Sequence, residues 1–179
     1  MTTLLRGYCL AVNFVVRFIG RSVSWFVPVL ALVVALEVLA RYVFNSPTIW
    51  AYDLSLFLFA YIAALGGAFA QQKQAHINVD ILYLKVSERT RRVFNLLTYL
   101  LAMYFMYVLI KVGLEQLDQA LKFNYRRQSE WAPPMHHVWV MIITAGALML
   151  LQLSAQWISD RYGLFTGIVL TGPHEDEDA

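Results

Sequence analysis

Charged side chains inside long apolar runs are the first residues of this chain that could do chemistry. A charge at the centre of a bilayer costs about 2.5–3.5 kcal/mol even on insertion scales. Glu37 stands in such a run. A single glutamate there would suit proton-coupled exchange, in which a proton and a cationic solute compete for one carboxylate. Arg41 follows at i+4 on the same helical face, and Asp53 comes just after a short turn. The three can neutralise one another, so the preferred reading of Glu37, Arg41 and Asp53 is a structural ion cluster. Transport through Glu37 is the alternative.

Other chemistry has less to build on. His76, His136, His137 and His174 lie at or outside the edges of the apolar runs, whereas two haems held by four helices need paired imidazoles inside them. A redox subunit is therefore the weakest reading. The one cysteine, Cys9, can form neither an internal disulfide nor a thiolate metal site. No P-loop, G-x-S-x-G elbow or H-E-x-x-H motif is present. An enzyme is not expected, nor a cofactor, nor a bound metal. Lys111 reads as a side chain that snorkels to the interface.

The elements that carry these residues follow from composition. Hydrophobic residues make up 59% of the 179 and charged ones 15%, far from the balance of a soluble domain. An all-α integral membrane protein is expected, folded as one domain over 1–179. Ser22–Val43 would make roughly 33 Å of helix, enough for a hydrocarbon core of about 30 Å. Further spans are expected at 51–70, 93–114 and 138–158, giving four crossings. Asn45-Ser46-Pro47 signals a tight turn between the first two. Trp25, Trp50, Trp131, Trp139 and Trp157 fall near span ends, where indole prefers the interface.

Orientation follows the Lys/Arg bias of short loops. Arg6, Arg17 and Arg21 precede the first span, and Lys73, Lys85, Arg89, Arg91 and Arg92 fill the second connection. Both segments belong inside, so both termini are expected in the cytoplasm, including the acidic 159–179 tail. A net charge of +2 gives no reason to expect nucleic acid as a partner. Residues 1–21 read as an amphipathic helix lying on the membrane, because Arg6, Asn13, Arg17 and Arg21 share one face. Arg17 and Arg21 also interrupt the apolar stretch that a cleaved signal would need. Residues 77–92 form a second amphipathic inner segment, and membrane lipid is a partner of both. The stripe Leu114, Leu117, Leu121 carries the third helix beyond the bilayer to Lys122, leaving an outer loop of 123–134. Ala63, Gly66, Gly67 and Ala70 have the small-xxx-small spacing that lets membrane helices approach closely, so they read as packing positions.

From Arg41 the chain reads R-x-x-F-N-x-x-x-x-W-x-x-D, ending on Trp50 and Asp53. An apolar helix containing Gly66-Gly67 follows, and then Gln72-x-x-x-His76-Ile77-x-Val79-Asp80-x-Leu82. In this order the residues resemble the DctQ-like small permease subunit of tripartite ATP-independent periplasmic (TRAP) transporters. Trp131-x-Pro133 and Trp139 extend the likeness. The resemblance implies a multi-pass protein of the bacterial inner membrane, part of a sodium-coupled symporter of organic acids. In such a system a periplasmic binding protein delivers the substrate, a large permease subunit moves it, and the small subunit supports the large one. It also implies that Arg41, Trp50, Asp53, His76 and Asp80 are motif positions, with His76 and Asp80 fixing the angle of the inner surface segment. Arg126, Arg127, Glu130 and Trp131 would then be where the binding protein touches this chain.

Overall fold

The computed structural model describes residues 2–73 and 88–166. They form five helices: α1 (Thr2–Ser24), α2 (Phe26–Tyr42), α3 (Ala51–Gln72), α4 (Glu88–Lys122) and α5 (His136–Thr166). Among the described residues there is no strand, and a single antiparallel bridge joins Arg126 and Pro134. Four stretches are long and apolar enough to cross a membrane: Thr3–Tyr42, Ala51–Gln72, Phe94–Lys122 and His136–Leu164. The expected segment 77–92 falls mostly outside the described residues, as do His76 and Asp80 and the end of the 159–179 tail.

The first expected span, 22–43, is not one uninterrupted helix. Trp25 separates α1 from α2, and its amide donates to Ser22 O in a tighter turn. Pro28 accounts for the break, since it lacks an amide hydrogen and its ring crowds the carbonyl four residues earlier, that of Ser24. Ser22 and Ser24 also donate their hydroxyls back to Phe18 O and Gly20 O, both at 2.9 Å, which favours bending. The third helix continues to Lys122 as its stripe predicts. At 35 residues it is about 52 Å long, well over the hydrocarbon thickness.

The spanning helices make a row and not a closed bundle. α2 packs on α3, α3 on α5, and α5 on α4, while α1 lies across α3 and α5 and touches α2. A cluster of buried apolar side chains forms where α1 crosses. Cys9, Val12 and Val16 of α1 meet Ala68 of α3 and Leu148 and Ala155 of α5, with Ile19, Leu65, Phe69, Met149 and Ile158 around them. The ends of the row face outward with apolar side chains, such as Val27, Leu32 and Leu36 on α2 and Leu97, Leu101 and Phe105 on α4. Lipid tails are as apolar as leucine, so this exposure is tolerated in a bilayer.

Close approach between α4 and α5 depends on two facing glycines. A Cβ on Gly113 would stand 3.0 Å from Ile143 Cγ1, and one on Gly146 3.0 Å from Ile110 Cγ1. Each helix thus seats an isoleucine of the other in the gap left by a missing side chain. Gly20 does the same for α1, where a Cβ would fall 2.5 Å from Phe69 Cβ.

Candidate functional site

At the end of the row that carries the α2–α3 turn, two carboxylates organise two connections. Glu37, one turn and a half before the end of α2, accepts from Arg41 Nε at 3.1 Å and Nη2 at 2.6 Å on Oε1. Its Oε2 accepts from the Thr48 amide at 3.1 Å and from the Thr48 hydroxyl. Both oxygens are therefore committed, and Glu37 ties the turn to the helix that enters it. Asn45 takes the left-handed conformation in that turn (φ 49°), which asparagine tolerates better than most residues.

Asp53 belongs to a different cluster. It is fully buried in the first turn of α3, and Arg127 Nε of the outer loop stands 2.8 Å from its Oδ1. That nitrogen lies off the line of a hydrogen bond, so the attraction there is coulombic, while Ser129 Oγ donates to Oδ2. A carboxylate in the first turn is also favoured by the helix dipole. The Arg127 guanidinium lies over the rings of Tyr52 at 5.8 Å and Phe57 at 5.9 Å, the geometry of a cation–π contact. Sequence reading grouped Glu37, Arg41 and Asp53; the structure joins the first two and gives Asp53 to Arg127. Asp53 is short and lies beyond the turn, whereas Glu37 and Arg41 are neighbours on one helical face.

Arg127 is thereby separated from the other outer-loop candidates. The loop from 123 to 135 is compact, because Arg127 N donates to Pro133 O at 3.0 Å and Met135 N to Tyr125 O at 2.9 Å. Ser129 Oγ, besides reaching Asp53, accepts from Ala132 N at 3.2 Å. Arg126, Glu130 and Trp131 remain exposed on the surface, and Arg126 donates to Ala132 O at 3.3 Å. Trp50 caps the start of α3 and is partly exposed. Below it, Tyr61 joins α3 to the first turn of α5, with its hydroxyl 3.1 Å from His137 Nδ1 and donating to His137 O at 3.3 Å. Thr48, Ser129 and Tyr61 are missing from the sequence reading. Thr48 alone had a signal, as a hydroxyl placed directly after Pro47 and before a helix.

The opposite end of the row uses amides. Gln72 Nε2 donates to Asn13 O at 3.0 Å, and Gln152 Nε2 to Asn13 Oδ1 at 3.3 Å. Gln71 and Gln156 exchange two hydrogen bonds between α3 and α5, at 2.9 and 3.0 Å. Tyr8 and Ser154 meet at 2.7 Å. The contacts of Tyr8 and Asn13 fix α1 against the two central helices, and the Gln71–Gln156 pair joins those two to each other.

Two of the small residues of α3 have open space where a side chain would stand. Nothing lies within 4 Å of a Cβ built on Gly66 or Gly67, and Ala63 is exposed. α1 packs on Leu65, Ala68 and Phe69. At about 100° per residue, Ala63, Gly66, Gly67 and Ala70 lie on the side of α3 opposite Leu65, Ala68 and Phe69.

Among known proteins, the family described as tripartite ATP-independent periplasmic transporters, DctQ component, matches residues 30–162. The chain is similar to the sialic acid TRAP transporter permease protein SiaT of Haemophilus influenzae (strain 86-028NP). They are 29% identical over 109 residues, which are 58% of this chain and 18% of SiaT. It is also similar to the C4-dicarboxylate TRAP transporter small permease protein DctQ of Vibrio cholerae serotype O1, 24% identical over 139 residues, 77% of this chain and 54% of that protein. A third relative, the sialic acid TRAP transporter small permease protein SiaQ of the same Vibrio strain, is 29% identical over 68 residues, 36% of this chain and 39% of SiaQ. The matched part thus spans about half or less of each relative's length. With four helices able to cross a membrane and a family match over most of its length, this multi-pass protein of the bacterial inner membrane belongs to the DctQ family of small TRAP permease subunits.

Proposed function

We propose that this chain is the stationary scaffold of its transporter, holding a large permease subunit that carries the substrate pathway. The observation that carries the reading is the bare side of α3. Gly66 and Gly67 lie at the centre of the row with open space where side chains would be. Ala63–Gly67 and Gly66–Ala70 are both small-xxx-small pairs, the spacing at which a second membrane helix can pack closely. A row of helices crossed by α1 is broad and resists tilting, which suits a support for a moving permease. The working complex is a sodium-coupled symporter of an organic acid, fed by a periplasmic binding protein. In this reading both termini of the chain face the cytoplasm.

The binding protein meets the outer loop at Arg126, Glu130 and Trp131, whereas Arg127 holds the loop in place through Asp53. Electrostatic contacts at such a rim weaken with salt. The experiment co-expresses this chain with a large TRAP permease subunit from the same organism. Gly66→Leu with Gly67→Leu is expected to abolish co-purification of the two subunits while leaving the thermal midpoint of the isolated chain unchanged. Retention of a stable complex in that variant would remove the bare face of α3 from the reading.

The competing reading is a self-sufficient exchanger acting through Glu37. Its two oxygens are occupied by Arg41 and Thr48, which favours a structural role for the carboxylate. Glu37→Gln should leave uptake by the assembled transporter intact, and the purified chain in vesicles should move no solute. Flux through the chain alone would reverse the choice.

A further inference from the structure

We propose that α4 docks a membrane helix of the large permease subunit that carries a carboxylate opposite Lys111, an interface that rests on the scaffold reading and deepens it. Composition sends Lys111 to the interface, but the register of α4 with α5 places it deeper. Gly113 meets Ile143 and Gly146 meets Ile110, so the two helices run antiparallel and Lys111 lies level with Ala145. Ala145 is nine residues beyond His136, about 14 Å into α5, and three residues short of the middle of the expected 138–158 span. α4 itself runs eleven residues past Lys111, about 16 Å, to Lys122. The four-carbon stem of a lysine covers about one helical turn, and side chains on a helix lean toward its start, here away from the nearer end. Snorkelling therefore falls short.

Lys111 belongs to a polar line on the side of α4 turned away from α5. Tyr104 and Tyr107 precede it by seven and four residues, the spacing of one helical stripe. The two tyrosines are 66 and 59% exposed, and Lys111 is exposed with them. Among the described residues neither phenol has a hydrogen bond and the ammonium has no ion pair. Glu115 follows at i+4 without pairing, and lysine before glutamate is the weaker order on a helix. Three hydrogen-bonding groups that acyl chains cannot satisfy thus stand in line at the open end of the row. The missing counter-charge has to come from another chain. A second copy does not offer it: Glu37 is committed to Arg41 and Thr48, Asp53 is buried, and copies side by side would bring two Lys111 ammonium groups to one depth. The matching occupant is a helix with a carboxylate facing Lys111 and polar groups one and two turns away, where the phenols meet it.

The test uses the full chain co-expressed with a large TRAP permease subunit from the same organism. Benzoylphenylalanine placed at position 104 or 107 should crosslink to the large subunit in native membranes. Crosslinks running only to lipid or to a second copy of this chain would overturn the assignment. Lys111→Leu should lower the affinity between the purified subunits about 30-fold or more, as truncating one partner of a desolvated charge pair does. Lys111→Arg should stay within about threefold of the parent, because the charge is kept. The thermal midpoint of the isolated chain should not move in Lys111→Leu. A midpoint that falls together with the affinity would give Lys111 a partner inside its own chain and sink the proposal. If the parent complex forms and Lys111→Leu binds as tightly, this contact alone falls and the scaffold reading stands. If even the parent chain binds no large subunit, both fall.

Discussion

The two ends of the helix row hold themselves together in different ways. Where α2 turns into α3 and the outer loop folds back, carboxylates pair with arginines, once along α2 and once between α3 and the outer loop. Where α1 crosses the row, neutral amides meet backbone and side-chain oxygens. The difference lies in what a missing partner leaves behind. Removing a cation from the first end strands a charge that the surrounding protein cannot solvate, whereas removing one amide from the second end forgoes only a modest hydrogen bond.

Four single substitutions would break or sharpen that contrast. The largest effect is expected from Arg127→Ala, which leaves the buried Asp53 carboxylate without its counter-charge and should cost about 3–5 kcal/mol. Denaturation of the purified chain measures it, and adding Asp53→Asn to the same variant should restore much of the loss. Equal damage in the single and double variants would mean that the stranded charge is not the cause. Gly20→Ala ranks next, because its new methyl would collide with the root of the Phe69 side chain, and overpacking of this kind costs about 1–3 kcal/mol. Gly66→Ala is its control: it should leave the isolated chain unchanged or stabilise it by up to about 1 kcal/mol through helix propensity. The smallest shift belongs to Gln152→Leu. This amide gives one hydrogen bond to Asn13, but its own oxygen is buried without a partner. The two effects offset, so the midpoint should move by less than about 1 kcal/mol. A loss as large as that of Arg127→Ala would erase the distinction between the two ends.

The helices were legible in the sequence because a bilayer forces them: a span must be long, apolar and internally hydrogen-bonded. Glu37 and Arg41 were legible for a local reason, being one helical turn apart. Asp53 and Arg127 were not, since they are distant in sequence and the region around Arg127 offered Glu115, Asp118 and Glu130 as rival acids. One of these rivals has a local partner, as Asp118 pairs with Lys122 at 2.6 Å, again at i+4. The order of helices in the row was equally hidden. A helix facing lipid and one facing another helix are both apolar, so hydropathy cannot tell the faces apart. Glycine shows the same ambiguity. Gly66 and Gly67 draw notice by their spacing, yet Gly20, Gly113 and Gly146, which no spacing pattern singles out, are glycines that meet side chains of neighbouring helices.

The crossing of α1 over the row also bears on how the chain is made. The seat of α1 is shared between α3 and α5, with Leu148, Gln152 and Ala155 supplied by the last helix. α1 leaves the ribosome before α3 and α5, so it cannot complete its contacts until α5 has been inserted. A nascent chain halted after Lys122 would hold α1 against α3 alone, with the amide of Asn13 met from one side. Folding of the described helices thus closes on the earliest of them, once the last is in place.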